Sequence, residues 1–108
     1  MTINELNRQL RANRINERAC LILPPVPVEG GLCLIRTGDG RWRVILNERG
    51  EFLINETLQS EHDACRFFLK KALLNPTNRE DFTPALLLAW PSRKKELLTN
   101  YGFDANES

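Results

Sequence analysis

The chain has 108 residues, 42% hydrophobic and 27% charged, with a formal net charge of +1. These proportions set aside a disordered chain, and the length fits one domain spanning residues 1–108. A near-neutral balance with a pI of about 7.7 points away from a broadly basic nucleic-acid binder and from an acidic polyanion mimic.

A chain of this size hides roughly two-thirds of its unfolded surface, so one core forms without disulfides or metal. Cys20, Cys33 and Cys65 make an odd count with no CxxC spacing. Each has apolar neighbours, which predicts buried, reduced thiols and a reducing, cytoplasmic compartment. The polar start of the chain predicts no signal peptide, and the longest apolar run, 85–90, is too short to cross a bilayer.

Thr2 and Glu5 read as a capping box, and Ile3, Leu6 and Leu10 recur at helical spacing, which predicts a helix over 3–12. Arg8 and Arg11 share a face of it, with Arg14 and Arg18 following in the connection. Residues 19–23 predict a short strand. Pro24, Pro25 and Pro27 cannot donate to a sheet ladder, so 23–28 is loop or sheet margin. Gly30-Gly31 is a turn; no Lys-Ser or Lys-Thr follows, as a phosphate-cradling loop requires.

Residues 41–73 organise the rest as strand, tight turn, strand, cap and helix. After a strand over 32–36 and a turn at 37–40, residues 41–47 alternate clearly. Trp42, Val44 and Leu46 face one way, and Arg41, Arg43, Ile45 and Asn47 the other. Glu48-Arg49-Gly50 turns the chain into a strand over 51–55, with Phe52 and Ile54 expected on the core side. Ser60 caps a helix over about 61–74, with Asp63 in the third-position role and Glu61 at the positive end of its dipole. Cys65, Phe68, Leu69 and Ala72 form its inward stripe, and Asn75-Pro76 stops it.

Thr83-Pro84 opens a short buried helix over 85–90, which Pro91 is expected to interrupt. Ser92 caps a last helix to about residue 101, and 105–108 is tail. The expected fold is α+β: an antiparallel meander of about three to four strands against an N-terminal, a central and C-terminal helices.

No constellation carries an evident reaction. His62 is the only histidine and opens a helix, where a surface or capping role competes with that of a base. His62 and Cys65 share a helix face, but the thiol falls on the apolar stripe, where a thiolate is disfavoured. Metal ligands lack usable spacing. The reading is therefore no enzyme, no catalytic residue, no metal and no cofactor. Most aromatic residues read as core, with Phe67 the best candidate for exposure. The outward Arg41, Arg43, Glu48, Arg49 and Glu51 read either as a solvated edge or as a polar contact surface.

In combination, several pieces resemble a family of small bacterial immunity proteins encoded beside polymorphic or contact-dependent toxins. They are Gly30-Gly31, Cys33-Leu34, Trp42-Arg43-Val44, Glu48-Arg49-Gly50, and Ser60-Glu61-His62-Asp63-Ala64-Cys65 before a Phe-rich helix. The resemblance covers about residues 1–75; the proline-rich loop departs from it, and 77–108 lie outside. It implies a non-enzymatic inhibitor of a toxin C-terminal domain, either a NAD glycohydrolase or a nuclease, with no membrane and no direct nucleic-acid contact. On that reading Arg41, Arg43, Glu48, Arg49, Glu51 and Glu61 are the expected toxin-binding residues. The rival readings are a nucleic-acid-binding accessory protein using Arg8, Arg11, Arg14 and Arg18 with Arg41 and Arg43, and a small enzyme using Cys65.

Overall fold

In a computed structural model, which describes residues 1–104, the chain is an α+β fold. The predicted tail at 105–108 lies outside the described residues. Helix α1 (Ile3–Ala12) leads to strands β1 (Cys20–Ile22), β2 (Leu32–Arg36), β3 (Trp42–Glu48) and β4 (Glu51–Leu58). Helix α2 (Glu61–Leu74), a 3-10 turn (Pro76–Asn78) and helix α3 (Pro84–Asn100) follow. The four strands form one sheet in the order β1-β2-β3-β4.

The helix starts follow from local chemistry. Thr2, Ser60 and Thr83 each accept, through the side-chain oxygen, the N–H of the residue three positions on. Each satisfies one of the orphan donors of a helix N-terminus. The reciprocal half of the capping box differs: the Glu5 carboxylate accepts from the Thr2 hydroxyl rather than from its amide.

Two features of the sheet depart from a simple meander. The β2–β3 and β3–β4 pairs are antiparallel, but β1 runs parallel to β2. The loop 23–31 carries the chain back along the sheet before β2 starts. It holds close to the sheet because the N–H of Gly30 donates to the Asn47 carbonyl at 2.7 Å. A Cβ on Gly31 would lie 2.5 Å from Leu21 Cδ1, so a larger residue there would push the half-buried Leu21 side chain aside.

The second departure is a bulge. Leu46 lies opposite Ile54, but Asn47 lies opposite Phe52, so Leu53 is an extra residue in β4. Residues directly opposite share a face. Phe52 therefore joins Asn47 on the face away from α2, and it is 55% exposed instead of lying in the core. Phe82, also expected as core, is exposed, whereas Phe67 is half-buried with Lys70 and Lys71 near its ring.

Rows of side chains run across the sheet as the register dictates. Cys20, Leu32, Leu46 and Ile54 form one row facing the helices, and Leu34, Val44 and Trp42 extend that face. Leu6 and Leu10 of α1 and Cys65, Phe68, Leu69, Ala72 and Leu73 of α2 close the core. Phe68 and Leu69 have no exposed surface, which places α2 against the sheet as its apolar stripe predicts. Cys33 and Ile45 are buried on the opposite face, where the Cys33 thiol donates to the Gly31 carbonyl.

The C-terminal helices are one helix. Pro91 lies inside α3 and removes a donor, but its site and the turn before it are exposed to water. The stretch 85–90, expected to be buried, has Leu87 and Leu88 exposed and buries only Trp90, because a single face of α3 packs on the rest of the chain. Trp90 and Leu98, on either side of the proline, are both buried, so a shared packed face holds the two halves together. The Trp90 indole N–H donates to the Leu74 carbonyl at 3.0 Å, satisfying the end of α2. At the far end the Arg66 guanidinium donates to the Tyr101 carbonyl at 2.7 Å and lies over the Phe103 ring. No helix among the described residues is long and apolar enough to cross a membrane.

Candidate functional site

The six sequence-predicted contact residues do not form one patch. Arg41 belongs to the β2–β3 turn, at the opposite end of β3 from the Glu48–Glu51 pair of the β3–β4 hairpin. A seven-residue strand separates the two ends by about 20 Å. Arg41 is engaged locally: its Nε donates to Asp39 at 2.7 Å. Hydrogen bonds from Arg41 and then from Thr37 hold the Asp39 carboxyl well below the usual carboxylate range. Arg43, the second residue of β3, lies on the face away from α2 and donates to Asn55 Oδ1 at 2.7 Å.

Glu61 has a structural duty. Its carboxylate accepts the N–H of Ile3 at 2.9 Å, so it closes the start of α1 while standing in the first turn of α2. The neighbouring His62 contacts the chain's terminal amine through Nδ1.

Glu48, Arg49 and Glu51 are different. All three are exposed, and among the described residues none has an ion pair or a side-chain hydrogen bond. They sit together because the hairpin is tight. Arg49 has φ +53° and Gly50 φ +80°, the pattern of a two-residue turn that matches strand twist. Glu48 and Glu51 lie directly opposite each other, two like charges at a position where they repel.

The hairpin tip adjoins apolar surface that the sequence did not single out. Phe52 and Leu53 follow the turn and are 55% and 57% exposed. On the other side the loop 23–31 brings Glu29 and Gly30 against Glu48 and Arg49 around a shallow concavity of about 340 Å³. Val26 and Val28 of the same loop are exposed. The run Phe52-Leu53-Ile54 carried a signal, since three consecutive apolar residues cannot all face inward on a strand. The valines between prolines carried none, because nothing in a loop's composition says where it will lie.

A deeper cleft of about 280 Å³ opens between the sheet and the end of α2. Its floor includes Leu32, Leu46, Ile54 and Leu74, and Glu48, Lys71, Asn75 and Thr77 are among its polar lining. Glu48 and Gly30 line both concavities, so the cleft continues to the hairpin tip. The tip therefore presents unpaired charge of both signs beside exposed aromatic and aliphatic surface.

The thiols are placed against chemistry. Burial, then the nearby Cys33, pushes the Cys20 thiol up to about 12. Burial, then the Glu61 charge, pushes Cys65 up to about 11. A neutral buried thiol is a poor nucleophile. No group of His, Cys, Asp and Glu among the described residues is arranged to hold a metal ion. The arginines of the nucleic-acid reading are also divided. Arg8 and Arg11 lie on α1 in the helical layer, whereas Arg43 lies on the opposite face of the sheet. Compared with protein-family models, curated proteins and solved structures, the chain has no match.

Proposed function

We propose that the protein is an inhibitor of the immunity type, which binds a toxin domain in the cytoplasm and blocks its active site or substrate access. The observation that carries this reading is the hairpin tip. Glu48, Arg49 and Glu51 have no partner among the described residues, and they stand beside exposed Phe52 and Leu53. The sequence resemblance supplies the partner class, a NAD glycohydrolase or nuclease domain. In such a complex the rim charges speed association and the apolar residues act as anchors that set the off-rate.

The test is protection in cells. Co-expression with the toxin encoded beside the gene is expected to restore growth. The triple variant Glu48→Ala, Arg49→Ala, Phe52→Ala is expected to lose that protection while remaining folded. Arg41→Ala and Arg43→Ala are expected to keep it. No rescue by the unaltered chain overturns the proposal.

A further inference from the structure

The geometry points to β4 as a docking edge: we infer that a partner protein adds an extended, basic segment alongside Glu51–Leu58 and continues the sheet. This names the mode of contact for the inhibitor proposed above, and it rests on that reading for its biological partner.

A sheet has two edges, and this one treats them unequally. The β1 edge is three residues long and ends at Ile22, with Leu23 at φ +52° and then Pro24 and Pro25 following. Short length and proline are the usual defences of an edge. The β4 edge is eight residues long, about 27 Å, and six of its residues are exposed. Among the described residues, no backbone hydrogen bond beyond the β3 ladder reaches any residue of β4. The bulge at Leu53 bends only the start of the strand. Residues 54–58 keep unbroken register with 46–42, so the outer edge there is regular. Unpaired strand groups of this kind are a template for strand addition.

Charge selects the occupant. β4 carries Glu51 and Glu56 and no cation, and neither carboxylate is paired among the described residues. Glu51 also faces Glu48 across the hairpin. Of the cations near this edge, Arg43 is spent on Asn55, and Lys71 lies beside the Phe67 ring. Arg49 at the turn does not pair with Glu48 or Glu51. A second copy of this chain would bring two more carboxylates to the edge and no cation. A segment with Lys or Arg opposite Glu51 and Glu56 relieves the repulsion while its backbone completes the ladder.

The experiment uses the full chain and a capped octapeptide of alternating Lys and Val, followed by amide chemical shifts. Saturable shifts and slowed hydrogen exchange are expected over residues 51–58. The same peptide N-methylated at every residue keeps its charge but cannot join a ladder. It is expected to bind at least about ten-fold more weakly. A Glu-Val octapeptide is expected not to bind. The double variant Glu51→Gln, Glu56→Gln, with both changes at exposed positions, is expected to weaken binding about five-fold. Equal binding by the N-methylated peptide, shifts confined to β1, or self-association of the chain through β4 overturns the inference. If the peptide docks on β4 but the chain gives no protection from the toxin, the docking edge stands and the inhibitor reading falls. If protection holds and the peptide leaves β4 untouched, the reverse applies.

Discussion

The carboxylate of Glu61 accepts the backbone N–H of Ile3 at 2.9 Å, so a residue in the first turn of α2 closes the N-terminus of α1 across 58 positions of sequence. Both helix dipoles present their positive ends to this one anion. Glu61→Ala is expected to cost about 1–2 kcal/mol, read as a lower urea midpoint with an unchanged slope. On the proposed inhibitor reading, protection is expected to survive if the bond to Ile3 is the whole of Glu61's role and to fall if Glu61 also meets the toxin.

Two Asp/Arg pairs two residues apart in sequence allow burial to be tested as a variable. Asp39 and Arg41 form an exposed pair, while Arg79 is 5% exposed and donates from Nε to Asp81 at 2.8 Å. Hydrogen bonds from Arg79 lower the pKa of Asp81. Asp39→Asn is expected to leave thermal stability unchanged. Asp81→Asn removes the counter-charge of a buried guanidinium but keeps an amide oxygen to accept from it, and is expected to cost about 1–2 kcal/mol. A lowered carboxyl pKa stabilises the fold above the unfolded value, and this contribution is lost as pH falls through the folded one. The acid midpoint of Asp81→Asn is therefore expected to differ from that of the unaltered chain.

The thiols set an alkaline limit. Cys20 and Cys65 are raised from 9.0 to about 12 and about 11 in the folded chain. Below about pH 9 both folded and unfolded chains hold these protons, and stability is unaffected. Above it the unfolded chain ionises first, so stability is expected to fall between about pH 9 and 11, by about 1 kcal/mol per pH unit for each thiol. Replacing Cys20 and Cys65 by Ala is expected to flatten that slope. Ellman's reagent at pH 8 is expected to find the three cysteines only after denaturation.

The hairpin turn places a cost on Arg49. A non-glycine residue at φ +53° occupies the left-handed region, which disfavours most side chains by about 1–2 kcal/mol. Asparagine tolerates that region, and Asn-Gly suits this turn. Arg49→Asn is expected to raise the melting temperature, by about 0.5–1 kcal/mol in stability, and to weaken toxin protection. A variant that gains stability and keeps full protection removes Arg49 from the contact.

Local chemistry made much of the fold legible. Thr2, Ser60 and Thr83 announce their helices because capping needs only a side chain and the next turn. The inward stripe of α2 was visible for the same reason. Long-range choices were not legible. The parallel pairing of β1 depends on where the loop 23–31 runs, and that path is held by the long-range hydrogen bond from Gly30 to the Asn47 carbonyl. The bulge that turns Phe52 outward breaks an alternation that looked regular. Pro91 reads as a stop, but burial of Trp90 and Leu98 on one face carries the helix through it. At the candidate site, the hairpin tip could be read from Glu48-Arg49-Gly50. Its separation from Arg41 and the structural role of Glu61 could not, because both are facts of tertiary placement.

The Tyr101 hydroxyl donates to Gln9 Oε1 and accepts from Asn13 Nδ2, each at 2.7 Å, linking positions 92 and 88 apart in sequence. This latch joins the first helix to the last turn of the final one. A nascent chain therefore cannot close it while residue 101 is still inside the ribosome exit tunnel. Helix α1 therefore waits for the end of α3, and this tie forms after every other described element has left the ribosome.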